Sequence, residues 1–251
     1  MANVRTGIAY VLKPHSGAVE ALALAALYGV YELTRGTFGE SWSLAQRHAH
    51  EIVRFERDLG MFWEWDVQRS AQSLPGLPAV LGVAYIGLHV GATIAALVWV
   101  YRRHRERFAL LRTVLVASSA FALVLYALYP TAPPRLAGLG IADTVTDHAG
   151  INLNSQLLGA LYNPIAAVPS LHFGYALIVG VTVAALSPRR SVRALGALYP
   201  LVMLFVIVAT GNHFWVDAAA GGLVVVVAWL VAQPMVRRTE PLMRPHAAAG
   251  C

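Results

Sequence analysis

The sequence predicts an all-α fold, a polytopic membrane helical bundle of six transmembrane helices with an amphipathic helix lying along the interface. Three observations carry this expectation. The 251 residues are 57% hydrophobic and 13% charged, about half the charged share of an average soluble domain. The apolar residues come in long blocks that a water-soluble core of this size has no means of hiding. Arginines fall in short clusters between the blocks, as loop charges do in polytopic proteins. One membrane domain follows, with 1–16 as a cytoplasmic N-terminus, 17–233 as the six-span core and 234–251 as a disordered cytoplasmic tail.

The first block covers residues 17–33. Arg5 and Lys13 ahead of it also fit a secretory signal, but the run continues to Tyr31 and equal or longer runs follow, which favours a retained span. In the polar stretch 34–77, Leu44, His48, Ile52, Phe55, Leu59 and Phe62 recur at three- and four-residue intervals, with Arg47, Glu51, Arg54 and Asp58 on other faces. That is the pattern of an amphipathic helix, and Trp63 and Trp65 at its end suit the headgroup layer. A helix packed on the bundle fits the same pattern.

The remaining blocks are 78–101, 108–129, 169–186, 192–210 and 216–233. Three basic groups flank them: Arg102, Arg103, Arg105 and Arg107; Arg189, Arg190 and Arg193; Arg237, Arg238 and Arg244. The positive-inside rule makes these cytoplasmic, and alternation then puts both termini inside and 34–77, 130–168 and 211–215 outside. The outward stretch 34–77 holds five arginines, which Glu40, Glu51, Glu56, Asp58, Glu64 and Asp66 offset. The net charge of +6 is thus a matter of loop topology; no basic stripe with interleaved aromatics marks a nucleic-acid surface. Cys251 is the single cysteine, which excludes a disulfide framework and a cysteine metal site.

Ionisable residues in or beside membrane helices are costly and mark function. His172 opens the fourth block in Val-Pro-Ser-Leu-His-Phe-Gly, and His213 and Asp217 join the fifth and sixth in Gly-Asn-His-Phe-Trp-Val-Asp. Arg135 follows the third block in Pro-Thr-Ala-Pro-Pro-Arg-Leu, where prolines 130, 133 and 134 stop the helix. The topology delivers all four side chains to one outer layer. His213 and Asp217 are spaced to share a helix face; a carboxylate on one ring nitrogen fixes the tautomer and leaves the other as nucleophile or base. His172 is placed to protonate a leaving oxygen. Arg135 offers a planar fork for phosphate oxygens, Ser170 with the amides of the fourth helix completes an anion cradle, and Asn212 joins them or caps the last helix. Each residue alone has a structural explanation; their convergence favours a site. His15, His48, His50, His89, His104, His148 and His246 are taken as satisfied interface residues, and 218–222 as a close-packing small face.

Pro-Pro-Arg-Leu at 133–136, Pro-Ser-Leu-His at 169–172 and His-Phe-Trp-Val-Asp at 213–217 resemble the three signatures of the type 2 phosphatidic acid phosphatase superfamily. Tyr-Pro-Thr-Ala-Pro-Pro-Arg and Leu171 look closest to its inositol phosphorylceramide synthase (inositolphosphotransferase) branch. The resemblance covers residues 129–222. It implies a six-helix core, His213 as nucleophile, Asp217 as its orienting partner, His172 as acid and base, Arg135 as phosphate ligand, and no metal or cofactor. Two family cations are replaced, by Leu128 and Ile207.

The expected function is a membrane lipid phosphatase or phosphotransferase working through a phosphohistidine, with inositolphosphate-type headgroup transfer first and an isoprenoid diphosphate or phosphatidate phosphatase as the alternative. The substrate is a lipid phosphate or phospholipid, the acceptor a lipid hydroxyl or water, and nucleic acid is no partner. The expected location is a bacterial-type plasma membrane, with the site on the extracytoplasmic face. A non-enzymatic lipid or ion transporter is the reading from another class; it would place its ionisable groups near the bilayer midplane.

Overall fold

The structure, a computed structural model, describes residues 22, 29, 42–151 and 163–243, with side chains through 237. Among the described residues the chain forms eight α-helices: α1 Trp42–Asp58, α2 Glu64–Gln72, α3 Leu77–Arg103, α4 Arg105–Leu128, α5 Thr144–Ala149, α6 Leu171–Leu186, α7 Arg190–Ala209 and α8 Trp215–Met243, with a 3-10 turn at Pro134–Leu136. Described residues form no strand; Thr131 and Ala166 make an isolated parallel bridge.

Four helices, α3, α4, α7 and α8, are long and apolar enough to cross a membrane, and α6 is a shorter apolar helix. Six spans are therefore not what the described residues contain. The first expected span, 17–33, and the N-terminal segment 1–16 lie outside them apart from Leu22 and Gly29. The fourth has 16 residues, a rise of about 24 Å against a hydrocarbon core of about 30 Å. It is short because Ser170 caps it, accepting from the Phe173 N–H, while the Ser170 N–H is bonded outside the helix to Asp217 O.

The other blocks end close to where charge and proline place them. Gly76 takes a left-handed φ of 80° just before Pro78 in the first turn of α3, and His104 both ends α3 and starts α4. Gly180 of α6 and Gly196 of α7 face each other so closely that a Cβ on either would overlap the opposite backbone. The last helix corrects the expected disordered tail: α8 runs through Pro234 to Met243, so at least the first ten tail residues continue the helix.

The amphipathic stretch is helical as expected but interrupted. It forms two helices, and α1 buries Ala45, Ala49, Ile52, Val53 and Glu56, whereas Phe55 and Leu59 of the expected apolar face are exposed, as are Trp63 and Trp65. Small side chains let α1 approach the 130–137 loop, where the Ala132 N–H donates to Ala45 O over 3.1 Å and Ala132, Ala137 and Phe214 join the same core. Buried Gln68 of α2 donates to Ala142 O and Thr144 Oγ1 and accepts from the Ala142 N–H. Parts of 42–77, 130–151 and 211–215 are thereby laced together.

Candidate active site

The turn between α7 and α8 sets the site. Gly211 takes a φ of 71°, and a Cβ there would meet Ile141, Ala142 O and Gln68, so only glycine fits. The chain reverses, and Ile207 O accepts both the Asn212 and the His213 N–H at 3.1 Å. His213 is carried inward, 4% exposed, and Asp217 in the first turn of α8 is fully buried. His213 Nδ1 lies 3.1 Å from Asp217 Oδ2 and 3.1 Å from Ala167 O. A carbonyl oxygen can only accept, so Nδ1 carries the hydrogen and Nε2 of the neutral ring holds the lone pair. Asp217 Oδ2 also accepts from the Phe214 N–H at 2.9 Å, capping its own helix, while its buried Oδ1 has no hydrogen-bond partner among the described residues.

His172 enters from the first turn of α6, its ring centroid 5.5 Å from that of His213. Tyr85 stacks on it at 4.3 Å and 17°, and His89 contacts it at 4.1 Å. Both come from one turn of α3, and the His89 Nδ1–H donates to Tyr85 O at 3.2 Å. Sequence reasoning passed over His89 as an interface residue. Its signal was an imidazole in the middle of an apolar span, four residues from a tyrosine.

Ser170 is fully buried and ties α6 to α8 through its N–H, which donates to Asp217 O at 2.9 Å. Gly221 permits this approach, because a Cβ there would overlap the Ser170 carbonyl, whereas one on Gly222 would make ordinary contact with the Phe173 ring. Gly221→Ala is expected to destabilise the folded protein by about 1–3 kcal/mol through overpacking and to lower activity with it, while Gly222→Ala is tolerated. Thermal unfolding of the two variants in detergent checks this.

Arg135 reaches the same turn from the loop after α4. The Thr131 N–H donates to Ile165 O at 2.7 Å and the Ala167 N–H to Thr131 O at 3.1 Å, fixing the Ala167 carbonyl that faces His213. The Arg135 N–H donates to Gly211 O, Nε to Asn212 Oδ1 at 2.9 Å and Nη1 to Asp143 Oδ2 at 2.8 Å. Asn212 gives its Nδ2 to Thr210 Oγ1, so its amide holds Arg135 rather than capping α8, a task Asp217 takes. Asp143, which caps α5 by accepting from Thr146, is the second residue that sequence reasoning missed; as a carboxylate just before a Thr-Val-Thr run it carried only a cap signal.

All six expected residues, His213, His172, Asp217, Arg135, Ser170 and Asn212, thus meet in one connected cluster. The replaced family cations lie elsewhere in character: Leu128 is exposed and Ile207 fully buried in the apolar core. Among the described residues no group of three or more His, Cys, Asp or Glu could hold a metal ion. A family model described as the PAP2 superfamily matches residues 50–231, well over half of the chain and inclusive of the whole cluster. No curated protein and no solved structure gives a significant match.

Proposed function

We propose a function from one premise, that this chain belongs to the PAP2 superfamily, which makes it a phosphatase- or phosphotransferase-type enzyme of phosphate esters with helices suited to a membrane. Within that class we read it as a lipid phosphotransferase with a phosphohistidine intermediate. The observation that carries the reading is the tautomer of His213: two acceptors on Nδ1 leave Nε2 as the nucleophile, with a second imidazole one ring-width away.

Nε2 attacks the phosphorus of a lipid-linked phosphate, a P–N bond forms and the P–O bond to the leaving group breaks. His172 delivers its proton to the departing oxygen. It then removes the proton from an acceptor hydroxyl, which attacks the phosphorus and breaks the P–N bond, restoring both histidines. Arg135 holds the phosphate oxygens; an incoming phosphate competes with Asp143 for that guanidinium. Ser170 and the first amides of α6 supply neutral donors. The acceptor we assign is a lipid hydroxyl, in inositolphosphate-type headgroup transfer, on the strength of the Tyr129–Arg135 motif and Leu171.

The site faces the extracytoplasmic side in this reading. Arg102 and Arg103 at the end of α3, Arg105 and Arg107 at the start of α4, Arg190 and Arg193 at the start of α7 and Arg237 on α8 all stand at the helix ends remote from His213, as the positive-inside rule requires of cytoplasmic ends.

The test is product analysis with purified protein in detergent, offered labelled phosphatidylinositol and other lipid phosphates with and without a lipid hydroxyl acceptor. A new labelled phosphodiester that depends on the acceptor is the expected result. A water-soluble product formed regardless of acceptor, inositol phosphate from phosphatidylinositol or free phosphate from a monoester, would replace transfer by hydrolysis, and the absence of a labelled phosphohistidine on the protein would remove the mechanism.

A further inference from the structure

The start of α8 is held by two glutamates that the mechanism does not use. A helix leaves its first N–H groups without intrahelical partners. Here Glu56 Oε1, from α1, accepts the Val216 N–H at 2.9 Å, and Glu64 Oε1, from α2, accepts the Trp215 N–H at 3.4 Å. With Asp217 Oδ2 on the Phe214 N–H, three consecutive amides are each met by a carboxyl oxygen from a different helix. Glu56 and Glu64 are both fully buried. Their other oxygens, Glu56 Oε2 and Glu64 Oε2, are buried without a hydrogen-bond donor among the described residues, and because the two carboxyls hold the amides of adjacent residues they are neighbours at the start of α8.

Two ionised carboxylates offer only acceptors and repel; a single proton between them turns the contact into a hydrogen bond. We propose that Glu56 and Glu64 share one proton and, as an acid–carboxylate pair, hold the first turn of α8 in the position that aims His213 at the substrate. They are positioning residues, and their catalytic consequence rests on the phosphohistidine reading. The remaining single negative charge is favoured by the α8 N-terminus. The ionisable group facing the pair from α8 is Asp217, a like charge that opposes a second ionisation. Burial, then the hydrogen bond and charge of Glu64, push Glu56 up to about 9 from its usual 4.5.

The unfolded chain releases the Glu56 proton near 4.5 and the folded protein near 9, so between these values the folded state binds more protons and stability falls as pH rises. Above about 9 the pair loses its proton and the clamp on α8 is replaced by repulsion.

The experiment uses Glu56→Gln, Glu64→Gln and the double variant in the full chain, purified in detergent. In either single variant the amide oxygen accepts the backbone N–H and the amide nitrogen donates to the remaining carboxylate, with no shared proton to lose. The melting temperature of the wild type should fall from pH 6 to about 9 and level off above it, and each single substitution should flatten that slope and keep kcat within about threefold. The double variant sets two amide nitrogens against each other with no acceptor, and kcat should drop by about tenfold or more with KM little changed. Single variants as damaged as the double, or an unchanged pH slope of melting in the singles, would overturn the pair. The melting measurements need no substrate: a wild type inactive on every lipid phosphate would defeat the phosphohistidine reading while leaving the proton-sharing pair to be judged on its pH slope.

Discussion

Replacing His213 with asparagine is expected to lower turnover by about four orders of magnitude or more and to abolish covalent labelling of the protein by phosphate-labelled substrate. Asparagine is the informative replacement. His213 is 4% exposed and its Nδ1–H meets Asp217 Oδ2 and Ala167 O, so alanine would strand a fully buried carboxylate and invite unfolding. The asparagine amide nitrogen can occupy the place of Nδ1 and donate to the same two acceptors, while nothing remains where Nε2 stood. A variant with near-native melting temperature and no phosphoprotein then isolates the nucleophile. Retained turnover in such a variant would show that the phosphorus is attacked by something else.

How much of this was legible in the sequence depends on the kind of interaction. The long helices could be placed because basic residues and prolines mark their ends: 108–129 became Arg105–Leu128 and 192–210 became Arg190–Ala209. The His213 and Asp217 pairing could be read from spacing alone. The acceptor Ala167 O could not, since a backbone carbonyl has no residue type to announce it and its position depends on the bridge at Thr131. His89 is brought to His172 by the packing of α3 on α6, which no local pattern encodes. Glu56 looked like one of six acids offsetting arginines, although it continues the Ala45, Ala49 and Ile52 face of α1. Exposed Phe55 and Leu59 suit the lipid interface expected of the amphipathic stretch, whereas the small residues that mark its close contact with the bundle form no pattern that stands out in the sequence.

The two acceptors on His213 Nδ1 lead to a graded expectation for Asp217→Asn. Were Asp217 the sole partner, its amide could present NH2 to the ring, force the hydrogen onto Nε2 and remove the nucleophile, a loss of about 10⁴ where a triad carboxylate is the sole orienter. Here Ala167 O at 3.1 Å still accepts from Nδ1 and favours the working tautomer. The Phe214 N–H, 2.9 Å from Asp217 Oδ2, also requires an oxygen at that position, which turns the amide nitrogen toward the site of Oδ1. That oxygen has no partner among the described residues, so the new NH2 is buried without an acceptor, a penalty of about 1–3 kcal/mol in stability. What is lost in catalysis is the negative charge that stabilises the ring as it becomes cationic on phosphorylation. Asp217→Asn should therefore retain a detectable phosphohistidine and lose about 10²–10³ in kcat, some 3–4 kcal/mol of barrier. Single-turnover labelling beside steady-state rates reads the two effects separately. A fall to the level of the His213 variant, with no labelled protein, would mean that the Ala167 carbonyl does not hold the tautomer and that the carboxylate alone orients the nucleophile.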